Sequence, residues 1–275
     1  PSPTASRLTS LPVPPTAPPP PHAALHSRAL LERWHGRDRL RYAITPRFAP
    51  TCSDAQLTAA GRLAGEYPDA LIHTHLAENE GEVDWVATLY PDRQSYLDVY
   101  RHFGLLRERA VFAHCLHLDD GDHQMMAAAG GAMAFCPTSN LFLGSGLFDL
   151  ERARDRGIRV GIGTDIGGGT SFSLLRTLGE AYKVLQLRRQ SLSSARGLYL
   201  ATLGAAEALY MDDAIGNFAP GKEADFIVLD HTATPLIERR IARTRDVGEE
   251  FFVQMLLGDD RSVAATYVLG SPANP

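Results

Sequence analysis

His75, His114 and Asp165 each close a short apolar run of the chain. Side chains of these types, brought from separate strand ends to one point, build a zinc–water site. The runs are Ile72-His73-Thr74-His75-Leu76-Ala77-Glu78-Asn79, Phe112-Ala113-His114-Cys115 and Val160-Gly161-Ile162-Gly163-Thr164-Asp165. A fourth, Phe135-Cys136-Pro137-Thr138-Ser139-Asn140, has the same form. An apolar run that ends in a polar group reads as a buried parallel strand with its chemistry at the C-terminal end. Glu78 follows His75 by three residues, where a metal ligand and a proton-carrying carboxylate can face one cavity. His73 lies two residues before His75, on the same face one pleat deeper, so a two-ligand reading is open. Arg47 and Phe48 follow another apolar run; an Arg donates to a carbonyl oxygen and a Phe stacks on a flat ring. Singly, each group has a plain reading: a surface His near an unrelated Glu, a surface Arg beside a core Phe, and His117 as a loop residue. The equivalent strand-end positions of His75, His114 and Asp165 favour the site.

Two glycine-bearing loops adjoin these groups. Ile166-Gly167-Gly168-Gly169-Thr170 follows Asp165, and Asn140 to Gly146 reads as a pocket wall. Glycine lets backbone approach a ligand, but neither loop has the G-K-[ST] of a phosphate loop.

The elements that must position these residues alternate. Strands are expected at 40–44, 70–74, 110–113, 132–135 and 159–162. Helical patterns lie between them, among them Leu57, Ala60, Leu63 and Tyr67 behind a Ser53 cap, Trp85 with Leu89, and Tyr96, Tyr100 and Phe103 before a Gly104 stop. Longer helices follow through Leu174, Leu178, Tyr182 and Leu185, and through Leu198, Thr202, Ala205 and Leu209. Alternating strand and helix means parallel β/α units, an α/β fold. Five strands suffice for an open doubly wound sheet, whereas a closed barrel needs eight, so the pattern alone leaves both open. After residue 212 the character changes: strands at 225–230 and 264–269, with a helix from Glu249 to Leu257, point to a small β element. The expected division is 1–25, 26–212, and 213–275 as a C-terminal β element with a terminal helix.

Composition narrows the class. The 275 residues are 44% hydrophobic, enough for one large domain or a domain with an appendage. A net charge of −5 gives no basic field for nucleic acid, and no apolar run approaches the roughly 20 residues of a membrane helix. Cys52, Cys115 and Cys136 make no disulfide framework and no C-x-x-C, so reduced thiols and a cytoplasmic location are expected. Nine of the 18 prolines fall within residues 1–21, and Glu32 is the first acid. Residues 1–25 are expected to be disordered and need not belong to the native fold, with a proline-rich ligand as the sharper alternative.

These segments resemble the guanine deaminases of the amidohydrolase superfamily. The specific elements are Thr45-Pro46-Arg47-Phe48-Ala49-Pro50, Asn140-Leu141-Phe142-Leu143-Gly144-Ser145-Gly146 and Gly167-Gly168-Gly169-Thr170-Ser171-Phe172; the His-x-x-Glu and Gly-Thr-Asp elements are shared more widely. Pro220-Gly221-Lys222-Glu223-Ala224-Asp225 resembles the return to the superfamily's small β-sandwich. The resemblance implies a (β/α)₈ TIM-type barrel, here about five C-terminal strands with the first three missing, and a sandwich remnant. It implies one zinc per subunit held by His75 and Asp165. His114 would orient substrate and water, Arg47 and Phe48 would bind the purine, and the intact family would be homodimeric. Guanine would be hydrolysed to xanthine and ammonia, with Glu78 as general acid/base and Asp165 as proton acceptor. The first-strand H-x-H that completes the family's ligand set has no match, since His22 and His26 lie in or beside proline-rich sequence. The chain by itself is therefore expected to be inactive. The rivals are deamination or dechlorination of another aromatic heterocycle, and a catalytically dead fragment with a binding role.

Overall fold

The computed structural model describes residues 20–273. Helix α1 spans Pro20–Trp34. Residues 20–25 are thus helical rather than disordered; residues 1–19 of that expectation lie outside the described residues.

Five parallel strands follow in sequence order: β1 Ala43–Ile44, β2 Leu71–Leu76, β3 Ala110–His114, β4 Ala132–Phe135 and β5 Arg159–Ile162. The crossovers are helical. They comprise α2 (Asp54–Glu66), α3 (Glu80–Leu89), α4 (Tyr96–His102), α5 (Asp120–Ala129), α6 (Pro137–Phe142) and α7 (Leu150–Asp155). Their starts are written in the sequence. Ser53 and Gln56 form a reciprocal capping box on α2, Asp119 and Asp122 one on α5, and Asn79, Ser95 and Asp149 cap α3, α4 and α7. Gly104, at φ +73°, turns the chain out of α4 as the sequence predicts.

Register and pleat give the sheet two unlike faces. On β2, Ile72, Thr74 and Leu76 are buried, while His73 and His75 are half-buried on the opposite face. His75 lies beside Ala113, Ala113 beside Ala134, and Ala134 beside Gly161. Small side chains therefore flank His75 across the sheet.

Helices α8 (Leu174–Leu187), α9 (Ser194–Ala201) and α10 (Leu203–Ala208) follow β5. The single helix expected through Leu198 and Leu209 breaks at Thr202, where φ −129° and ψ −98° leave the helical region. The break lets α10 pack on β5. A Cβ on Gly161 would meet Ala205 Cα at 3.1 Å, so this approach needs glycine.

A three-stranded antiparallel sheet completes the chain: β6 Phe226–Leu229, β7 Val263–Val268 and β8 Ser271–Pro272. Helices α11 (Pro235–Ile241) and α12 (Val247–Leu257) lie between β6 and β7. The helix expected at this end thus sits inside the β element, and the strand β8 follows it. Phe226 stacks on Tyr267 at 4.5 Å between ring centroids. Among the described residues, no helix is long and apolar enough to cross a membrane.

Candidate active site

The strand-end residues converge. His75, His114 and Asp165 each offer a ligand atom, all within 4.8 Å of one another, and no other such group occurs among the described residues. The His75 and His114 rings stack at 5.4 Å, 27° apart. His114 Nε2 lies 3.8 Å from Glu78 Oε2 and 3.9 Å from Asp165 Oδ2.

Backbone strain marks the same places. Ala77, His114, Cys115 and Asp165 all have positive φ, between 46° and 71°. Non-glycine residues rarely adopt this region, and such strain collects at functional sites. At His114 its effect is readable. Its strand partner is Leu76, on the buried face, and φ +71° breaks the pleat so that the imidazole meets His75 instead.

Both imidazoles are oriented from behind. His75 Nδ1 lies 2.8 Å from the Arg47 carbonyl oxygen. A carbonyl only accepts, so Nδ1 carries the proton and Nε2 presents its lone pair. His114 Nδ1 lies 2.8 Å from Asn140 Oδ1, and both residues are 1% exposed. That contact gives His114 the same tautomer, and its Nε2 is buried with no hydrogen-bond partner. An orphaned buried nitrogen facing two carboxylates, beside a second free imidazole nitrogen, is a donor set that suits a zinc ion. His114, to which the resemblance gives the orienting of substrate and water, sits among the potential ligands, as its strand-end position left open.

Glu78 is held separately. Ser145 Oγ donates to its Oε1 at 3.4 Å, and its backbone N–H donates to Glu82 Oε2 at 3.2 Å. His117, read as a loop residue, donates from Nε2 to the Ser145 carbonyl at 2.9 Å. Asn140 and Ser145 come from the loop read as a pocket wall; nothing in their spacing indicates partners on other strands. His73 lies 6.2 Å from the His75 ring and outside the three-residue group. Burial, then the neighbouring His75, lowers its pKa. Arg47 is exposed, its guanidinium 5.5 Å from the Phe48 ring, and Phe48 meets His75 edge-on at 6.4 Å.

The glycine loop has a local job. A Cβ on Gly169 would lie 2.1 Å from the Thr164 carbonyl oxygen, and one on Gly168 3.1 Å from Asp165 Oδ2. The loop folds back on Asp165 and fixes it. Cys115 and Cys136 are buried and free; burial raises both thiols, Cys136 to about 12.

A parallel β/α sheet that gathers two imidazoles and a carboxylate at its C-terminal strand ends has the form of an α/β site able to hold a metal ion. The chain belongs to the amidohydrolase family, whose profile matches residues 20–271, and its fold is the TIM-barrel-like one of that family. It is 55% identical over 244 residues to guanine deaminase of Escherichia coli (strain K12), covering 89% of this chain and 56% of that protein. The solved E. coli guanine deaminase superposes with a TM-score of 0.91 at 52% identity, over 93% of this chain and 60% of that one. Guanine deaminase from C. acetobutylicum with bound guanine gives 0.83 at 26% identity, over 92% and 60%. An adenosine deaminase from Xanthomonas campestris with bound zinc gives 0.80 at 25%, over 90% and 55%. The chain thus spans little more than half the length of the relatives it matches.

Proposed function

We propose that this chain carries the base-binding and acid/base half of a zinc-dependent guanine deaminase. The observation that carries the reading is His114 Nε2, buried without a partner between Glu78 and Asp165 and stacked on His75. The 55% identity to the E. coli enzyme supports guanine over another heterocycle.

His75 and Asp165 would hold the zinc, with His114 beside them. Bound zinc lowers the pKa of a water toward neutrality. Asp165 takes the proton of the water that attacks C2 of guanine. Glu78 protonates the adjacent ring nitrogen and later assists the departure of ammonia. His114, its Nδ1 engaged by Asn140, directs Nε2 at the reacting centre. Arg47 donates to the purine carbonyl, and Phe48 packs against the ring. The carbonyl of Arg47 holds His75, so one residue serves both base and metal.

The five strands are, in this proposal, the C-terminal part of a (β/α)₈ barrel, and the small sheet belongs to a β-sandwich. Among the described residues β1 and β5 each pair on one side only, which supports it. Three further strands would supply the H-x-H. The substrate is a free purine; a cytoplasmic location and a homodimer of the whole protein go with the reading.

The test compares the chain alone with a protein that adds the missing strands. The expected result is weak zinc binding and no turnover for the chain alone, and xanthine formation from guanine but not adenine by the completed protein. A monomeric chain with one tightly bound zinc and guanine turnover would overturn the partial-barrel reading. A completed protein that releases no xanthine would overturn the deaminase reading.

A further inference from the structure

Behind the site lies a hydrogen-bonded node that the chemistry above does not use. Tyr100, on α4, is fully buried, with its ring 5.6 Å from both Tyr96 and Phe112. Its hydroxyl donates to the His75 carbonyl at 2.8 Å and accepts the Ala49 N–H at 3.0 Å. Thr74 Oγ1 lies 3.1 Å from the same oxygen and 3.1 Å from the Arg47 carbonyl. That carbonyl also accepts the His75 backbone N–H at 3.2 Å and Nδ1–H at 2.8 Å. Two chain segments meet here: residues 47–49, just past β1, and residues 74–75, at the end of β2. Two oxygens, the Tyr100 hydroxyl and the Arg47 carbonyl, join them.

We propose that Tyr100 is a positioning residue that fastens the Arg47–Phe48 segment to His75, so that the base-binding side chains and the metal ligand hold one geometry. The proposal rests on the deaminase reading for what these side chains bind. Tyr100 touches neither base nor metal. Its position suits this role because its single proton and lone pairs are spent on backbone groups of both segments. Burial raises the phenol's pKa, so it stays a neutral donor at working pH. The lock also sets the His75 tautomer: if residues 47–49 drift, the Arg47 carbonyl leaves Nδ1, and Nε2 no longer keeps its lone pair. Base binding and metal binding would then be coupled through this node, each strengthening the other by the same factor.

The test uses the full chain, uniformly labelled with ¹⁵N and free of metal. In the parent, His75 is expected to show a single Nδ1–H tautomer and the Ala49 amide to exchange slowly. Tyr100→Phe is expected to move His75 toward mixed tautomers and to speed Ala49 exchange. Unchanged His75 signals and unchanged Ala49 exchange would overturn the proposal, whether or not the chain takes up zinc. In a second arm, zinc affinity measured against a chromophoric chelator is expected to fall about 10–100-fold in Tyr100→Phe. Tautomer and exchange that respond as expected uphold the role of Tyr100 whether or not the parent takes up zinc; failure of the deaminase reading is read separately, from a completed protein that releases no xanthine. If Tyr100→Phe does not fold, the parent itself decides: mixed His75 tautomers or a fast-exchanging Ala49 amide in the parent would overturn the proposal.

Discussion

Glu78 and Asp165 approach the same imidazole nitrogen, at 3.8 and 3.9 Å, and the proposed reading gives them different work. Asp165 is within ligand range of both His75 and His114; Glu78 is outside that group and is held by Ser145. A group that carries protons without binding metal can lose its charge and leave the metal in place. In a protein that turns over guanine, Glu78→Gln is therefore expected to keep zinc content and lose about 10²–10⁴ in turnover, the usual worth of a general acid/base. Metal analysis alongside steady-state kinetics checks this; loss of zinc would make Glu78 a ligand. Asp165→Ala removes a ligand and a proton acceptor together. It is expected to lower zinc occupancy and abolish xanthine formation, and appreciable activity with zinc still bound would refute that role.

At the scale of elements, close approach decides the packing. The α10 backbone lies so near β5 that a Cβ on Gly161 would meet Ala205 Cα at 3.1 Å, and backbone on both sides cannot yield as a flexible side chain would. Gly161→Ala is expected to destabilise the fold by about 1–3 kcal/mol, the usual cost of overpacking, read from denaturant midpoints. A midpoint equal to the parent's would show that α10 moves freely. What the sequence disclosed at this scale follows from what is local. Strand runs, the Ser53 cap and the Gly104 stop are short-range signals, and the parallel sheet follows from their alternation. Trp85 and Leu89 marked α3 by type, yet both are exposed, while Val86 on the same helix is buried. Tertiary packing, not residue type, chose that face. Helices α6 and α11 begin with proline after Cys136 and Thr234, a start signal that their polar, loop-like contexts hid. At the site, His75, His114 and Asp165 were legible as strand ends. Tyr100 was not, and Asn140 and Ser145 were legible as a pocket wall but not by partner, because each acts through a contact 25 to 67 residues away in sequence.

Across the whole molecule, the two sheets are joined by charge near Arg39. This residue lies between α1 and β1, and its guanidinium reaches Glu223 at 2.7 Å and also Asp225, just before β6. Asp225 further accepts the Leu269 N–H at 2.9 Å, from the turn between β7 and β8. That backbone bond lowers the pKa of Asp225; partial desolvation opposes it and Arg39 reinforces it. A carboxylate depressed in the folded state stabilises fully above its unfolded value of about 3.9 and loses that contribution as pH falls through the lower folded value. The pairs are partly exposed, so the effect is small, about 1 kcal/mol or less and a few degrees in Tm at most. Asp225→Asn is therefore expected to melt slightly below the parent at pH 5–8, with the gap closing below about pH 4. Thermal melts of both proteins from pH 6 down through the carboxylate range decide it. A gap that does not narrow as pH falls would remove the Asp225 charge from the link between the sheets.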